Sequence, residues 1–254
     1  MVLTGLTHQR VIVACVSFET VKVVEPCRHY KADKVYLLHK GDRAPYDAFV
    51  KEVKSQLDAE KIECVEKKLD IFKFPPVVNS VLRILRDEKA NGNHVYVNIG
   101  AGPQMFSAGA LVACMMEGGT PFNVGVKKYM LEDYKVYFEG EKPVGLAKEV
   151  YPPFPLPEFR LRAPRDDLIK GLAVIKKMIA QGSLLSSPNI IRRLKEEGLM
   201  DKIADKVERV TQSAVMRYRR NFLDPWTRNG WMTKEGKSKL NITETGNLML
   251  EIFC

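Results

Sequence analysis

Four apolar runs set the limits of what this chain can become. VIVACV (11–16), KVYLLH (34–39), HVYVNIG (94–100) and PFNVGV (121–126) are apolar on consecutive positions, with little of the apolar–polar alternation of a half-exposed strand. Strands of that kind are covered on both faces, the condition of a parallel sheet packed between helices. The stretches between them supply the helices. Tyr46 to Lys61 has apolar residues at 46, 49, 50, 53 and 57, Val77 to Arg86 follows Pro75-Pro76 with a second amphipathic face, and Pro103 to Met116 is Ala-rich. A short strand falls within Ile62 to Ile71. This alternation predicts an α/β fold, a Rossmann-like, mainly parallel sheet.

One of these strands runs into VNIGAGPQMFSAGALVA (97–113). A dinucleotide fingerprint, G-x-G-x-x-G, follows the first strand and has an acidic partner about 20 positions on. Here Met105 stands where the third glycine belongs, the strand is a late one, and PFNVGV ends without an acid. A nicotinamide or flavin enzyme is disfavoured. What remains suits an anion. The loop Gly100, Ala101, Gly102, Pro103, Gln104 and Met105 aims backbone amides outward from a helix start, and Asn98 and Gln104 add side-chain amides. The plainer reading is a glycine turn needed only for close helix–strand packing.

A second loop shares such a pocket, because ligands sit beyond the carboxyl ends of neighbouring parallel strands. The first strand offers Ser17, Phe18, Glu19 and Thr20: hydroxyls, an aromatic face and a carboxylate that could read a base and a ribose. Glu19 reads equally well as a solvated charge at a helix N-terminus.

From about residue 126 the pattern changes. VKKYMLEDYKVYFEGEKPVG predicts an edge hairpin, and YPPFPLPEFRLRAP (151–164) carries five prolines in fourteen residues, so it reads as a semi-rigid connector. Residues 1–150 then form one domain and 165–254 another. In the second, DDLIKGLAVIKKMIAQG places Leu168, Leu172, Ile175 and Ile179 on one face, Ser186-Ser187-Pro188 opens a second helix, and Thr211 begins a third that Pro225 should end. Two short strands around Glu235–Ser238 and a last helix from Thr243 follow. Three helices, a hairpin and a helix is the winged helix-turn-helix order.

On the third helix Val215, Tyr218 and Phe222 would face the core, with Trp226 just beyond the end. Gln212, Ser213, Met216, Arg217, Arg219 and Arg220 are left outward. A recognition helix needs this division, and Lys234, Lys237 and Lys239 on the hairpin would reach backbone phosphate. The plainer reading is a solvated basic face. Charge placement agrees with a polyanion partner: residues 165–254 carry 17 Lys and Arg against 11 Asp and Glu, in a chain of net charge +9.

Composition excludes other classes. No apolar run approaches the roughly 18 residues of a membrane span. MVLTGLTHQR lacks a signal-peptide pattern, which leads us to expect a cytoplasmic protein with no membrane partner. Five cysteines without a CxxC pair and four scattered histidines show no metal-ligand spacing. No nucleophile–base pair, Walker sequence or metal motif is present, so no catalytic residue is assigned.

The combination resembles the archaeal transcriptional regulators that join a CRISPR-associated Rossmann fold (CARF) domain to a winged helix-turn-helix, over essentially the whole chain. In that family the late-strand motif usually runs hydrophobic-Asn-x-small-Gly-Gly/Thr-x-Lys. Val97, Asn98, Gly100 and Gly102 occupy matching places, while Ala101 stands where Gly is common and Gln104 where Lys is common. The resemblance implies a homodimer with a central pocket, double-stranded DNA as partner, and a cyclic oligoadenylate effector in place of any cofactor, as in the CRISPR-linked members. The rival class is an enzyme, a ring nuclease or nucleotide-activated RNA-processing enzyme using the same pocket.

Overall fold

The computed structural model describes residues 8–41, 46–130, 138–200, 210–235 and 239–254. The chain divides into two compact units, residues 1–162 and 163–254.

In the first unit, β1 (Arg10–Cys15), β2 (Lys34–His39), β3 (Glu63–Lys68), β4 (His94–Asn98) and β5 (Thr120–Asn123) pair in parallel. The helices between them are α1 (Val21–His29), α2 (Tyr46–Ala59), α3 (Phe74–Ala90) and α4 (Gln104–Glu117). The six-stranded sheet, completed by β10 (Phe154–Pro155), has the order β10-β5-β4-β1-β2-β3. With right-handed crossovers this order puts α1 and α2 on one face and α3 and α4 on the other, and each pair is in contact. The unbroken apolar run of β1 follows from that sandwich. Val11 to Val16 are all fully buried, with Ile12, Ala14 and Val16 in one cluster with Val23, Phe49, Val53 and Leu57 from α1 and α2.

The segment after β5 departs from expectation. β6 (Val126–Tyr129) pairs with the distant β9 (Ala147–Val150), and a smaller hairpin, β7 (Phe138–Glu139) with β8 (Lys142–Pro143), lies between them. Residues 131–137 of the expected edge hairpin are outside the described residues. The proline-rich segment contributes β10, which lies antiparallel on β5. Proline is tolerated there because an edge strand has one side without ladder partners, and it also blunts the edge. The other edge, β3, is blunted by Glu63, Glu66, Lys67 and Lys68, all exposed.

At the amino ends of the strands a buried carboxylate ties the layers together. Glu88 of α3, 2 % exposed, accepts from Lys34 Nζ at 2.9 Å, Tyr36 Oη at 2.5 Å and Asn93 Nδ2 at 2.5 Å. Burial opposes its charge, but these three donors together hold its carboxyl below the usual range.

The second unit contains α5 (Asp166–Ala180), α6 (Ser187–Glu196), α7 (Gln212–Tyr218), a π turn (Arg219–Leu223), α8 (Asp224–Arg228), the antiparallel hairpin β11 (Met232–Glu235) and β12 (Lys239–Ile242), and α9 (Glu244–Phe253). Ser186, Thr211 and Thr243 cap α6, α7 and α9, each accepting from the amide three residues on. The buried stripe of α5 is Leu168, Leu172, Ile175 and Met178; Ile179, expected on it, is 45 % exposed. The 3.6-residue period selects Met178 instead, one position earlier.

Pro225 does not end the third helix. The helix widens into the π turn, in which Asp224 N–H donates to Arg219 O, and continues into α8 with Pro225 in its first turn. An α-helix drifts about 40° with every four residues, so residues spaced by four leave a common face unless the turn widens. The π turn absorbs that drift. Ala214, Tyr218, Phe222 and Trp226 all stay buried, and Trp226 Nε1 donates to Leu168 O at 3.0 Å.

Candidate functional site

The sheet order reverses between β1 and β4. From β1 the chain proceeds outward through β2 and β3, then crosses back to β4 and β5. Ala14 is in register with Asn98, so the loops leaving the two strands stand side by side at the carboxyl edge. This is where doubly wound sheets open a cleft. The sequence-predicted residues Ser17–Thr20 and Asn98–Met105 are thus brought to one place.

Their roles differ. Asn98 is fully buried, its Nδ2 donating to Lys22 O at 2.8 Å and its Oδ1 accepting from Gly100 N at 3.0 Å. Its amide, expected to face a ligand, is used to position the loop. Gly100 and Gly102 are set by close approach. A Cβ on Gly100 would lie 2.5 Å from Asn123 Oδ1, and one on Gly102 2.9 Å from Cys15 Cβ and 2.8 Å from Phe106 Cδ1. Ala101 is 2 % exposed. Pro103 stands at the N-cap position just before α4, no side chain caps that end, and Gln104 and Met105 are exposed. Among the described residues the N–H groups of Ala101, Gly102 and Gln104 donate to no carbonyl outside the regular elements.

The β1 loop is more occupied than the sequence suggests. Thr20 Oγ1 donates to Pro143 O at 3.1 Å instead of capping α1, and Glu19 Oε2 accepts from Ala147 N at 3.2 Å. Glu19 also forms a bridge with Gly145, whose positive φ of 80° and 2.6 Å approach of a notional Cβ to Phe18 O demand glycine. Phe18 packs on Tyr46 and Phe49, with ring centroids 4.5 and 5.8 Å away. Burial pushes the Glu19 carboxyl above its usual range, while the Ala147 amide and the charge of Lys22 pull it back. Ser17 is half-buried.

Lys22 was not anticipated. Its Nζ donates to Gly100 O at 2.9 Å, from the first turn of α1, joining the two loops a second time. The available signal was a lysine with no acidic residue in the first turn of a helix, an arrangement that the helix dipole opposes.

In the second unit, the face opposite Tyr218 and Phe222 exposes Gln212, Ser213, Met216, Arg219 and Arg220. Arg217 is half-buried, its Nη2 donating to Ser213 Oγ at 3.3 Å, and Arg220 Nε donates to Asn221 Oδ1 at 3.3 Å. Lys234 is exposed on β11; Lys237 and the side chain of Lys239 are outside the described residues. Among the described residues no group of His, Cys, Asp and Glu could hold a metal ion, and no helix is long and apolar enough to cross a membrane.

Two features therefore define the protein's class: a doubly wound α/β unit with paired loops at its switch point, and a helical unit carrying a hairpin. A family model described as HFX_2341_N:-like, N-terminal, matches residues 10–131. No curated protein matches the chain. Similar solved structures include Enterococcus italicus Csm6 bound to cyclic hexa-2'-fluoro-hexa-dAMP, at 13% identity and TM-score 0.38 over 48% of this chain and 34% of that one. Can2 from Sulfobacillus thermosulfidooxidans in complex with cyclic tetra-adenylate is 10% identical, with TM-score 0.40 over 96% of this chain and 63% of that one. A type III CRISPR defence DNA nuclease activated by cyclic oligoadenylate is 10% identical, with TM-score 0.43 over 92% and 37% of the two chains. The chain thus spans less than two thirds of the length of each.

Proposed function

We propose that this chain is a ligand-responsive DNA-binding regulator. The first unit senses a nucleotide, a cyclic oligoadenylate by its resemblance to CARF regulators, and the second is a winged helix-turn-helix that binds double-stranded DNA as a homodimer. The observation that carries the DNA reading is the division of α7 and its π turn into a fully buried face and an exposed face bearing Gln212, Ser213, Arg219 and Arg220. Amide and forked guanidinium donors on one helix face are the groups that read base edges in a major groove. Two-fold symmetry would set two such helices on a pseudo-palindromic site.

The sensing reading draws on α4. Its first turn adjoins the Gly100–Gly102 loop, and its other end holds the connector: Leu161 N–H donates to Met115 O at 2.8 Å, and Arg160 lies against Gly118. A ligand that prefers one position of the loop would thereby favour one position of the connector, and so one spacing of the DNA-reading helices.

One observation favours the enzyme alternative: His39 Nε2 lies 3.6 Å from Glu66 Oε2 at the carboxyl edge, a pair the sequence does not reveal. The imidazole is 2 % exposed, which suits a structural role better than contact with substrate. The test combines selection of a duplex from random DNA, a thermal-shift panel of cyclic oligonucleotides and mononucleotides, and incubation with labelled cyclic tetra-adenylate. A selected palindromic duplex, a stabilising nucleotide and intact cyclic tetra-adenylate support the regulator. Turnover of the label supports the enzyme.

A further inference from the structure

We infer that Met216 selects a thymine, its side chain packing on the C5 methyl group of that base in the major groove of each half-site. The inference rests on the DNA-binding reading of the second unit and names a base that its helix reads.

A helix at a protein surface normally keeps polar side chains on the side away from the core. The helix formed by α7, the π turn and α8 inverts that rule at its outermost point. Met216 lies within α7, two residues from Ala214 and two from Tyr218. Two residues turn an α-helix by about 200°, so Met216 points almost directly away from both. Ala214 is 3 % exposed and Tyr218 0 %, while Met216 is 64 % exposed. The neighbours of Met216 one turn before and after it are Gln212, Ser213, Arg219 and Arg220, all exposed. An apolar side chain thus stands at the apex of the face, ringed by amide, hydroxyl and guanidinium donors.

That arrangement is complementary to a duplex. When a helix lies in the major groove its apex goes deepest, to the base edges, and the flanking donors reach bases and phosphates on either side. The thymine methyl is the one apolar group among the base edges there. Every other edge presents a donor or acceptor that a methionine would desolvate without pairing. The unbranched, flexible side chain adapts to the position of the methyl group.

The experiment takes the duplex that the full chain selects from random DNA and replaces each thymine in turn by uracil, which lacks only the methyl group. Dissociation constants are measured for the unaltered chain, Met216→Ala and Met216→Leu, with melting temperatures as a check on folding. Loss of one buried methyl group should weaken binding about three- to fivefold at one position in each half-site. Met216→Leu should keep that loss and Met216→Ala should abolish it, the coupling that marks a direct contact. A selected site without thymine, one bound equally tightly with uracil at every position, or a loss that persists in Met216→Ala would overturn the role of Met216 and leave the DNA reading standing. If no duplex is selected, the DNA reading fails and the inference fails with it. Should Met216→Ala bind too weakly for the comparison, Met216→Val decides on the same criterion.

Discussion

Asn98 and Lys22 are joined by a 2.8 Å hydrogen bond from the asparagine Nδ2 to the lysine carbonyl oxygen. That bond, with the return contact of Lys22 Nζ on Gly100 O, locks the two loops of the switch point into one unit. Preorganisation of this kind lowers the ordering cost of binding. Replacing Asn98 with Ala leaves a buried carbonyl and the Gly100 amide without partners, at about 1–3 kcal/mol for each orphaned group. Chemical denaturation of Asn98→Ala should show that loss, and stability equal to the unaltered chain would contradict the locking role.

At the other end of the sheet, Glu88 is a purely structural charge. Glu88→Ala should cost about 3–5 kcal/mol, because Lys34 and Tyr36 lose a buried partner. Its folded carboxyl titrates below the unfolded one, so its contribution is present above the ordinary glutamate range near pH 4.3 and is lost as pH falls through the lower folded value. The gap between Glu88→Ala and the unaltered chain should therefore narrow in acid. A gap independent of pH would show that the carboxylate's charge is not what stabilises.

Glu19 has the opposite sign. Burial raises its carboxyl, so the protonated form is favoured in the fold, and that advantage disappears as pH rises through the raised value. Glu19→Gln retains an acceptor for Ala147 N–H without the buried charge. It should melt at or above the unaltered chain at pH 7 and gain nothing near pH 4. Lower melting at pH 7 would mean that the ionised carboxylate anchors the 143–147 strap.

In the second unit, Gly171 lets α5 lie against the Trp226 ring. A Cβ there would be 2.9 Å from Trp226 Cζ2 and 3.1 Å from Phe222 Cδ1. Gly171→Ala gains about 1 kcal/mol of helix propensity and loses about 1–3 kcal/mol to overpacking against rings that cannot yield. A lowered melting temperature is expected, and a raised one would contradict the packing described for Trp226.

What the sequence made legible follows from how local each signal is. β1, β2 and β4 are read from consecutive apolar residues, and the caps Ser186, Thr211 and Thr243 from local hydroxyl chemistry. The adjacency of the two cleft loops was also accessible, because strand–helix alternation narrows the topologies. The misses depend on contacts distant in sequence. Thr20 and Glu19 are claimed by Pro143 and Ala147, more than 120 positions away, and Asn98 by Lys22. The π turn escaped because Pro225 is read as a stop, whereas the four-residue spacing of Ala214, Tyr218, Phe222 and Trp226 carries the signal for a widened helix.

The central claim, a DNA reader under the control of a nucleotide, is tested most directly by one measurement. The dissociation constant of the full chain for its selected duplex is determined with and without the nucleotide that stabilises it, alongside an Arg219→Ala, Arg220→Ala double variant. The account predicts that the nucleotide shifts the constant by about fivefold or more, and that the double variant binds more weakly with a flatter salt dependence. An unchanged constant with saturating nucleotide, or a double variant indistinguishable from the unaltered chain, would contradict it.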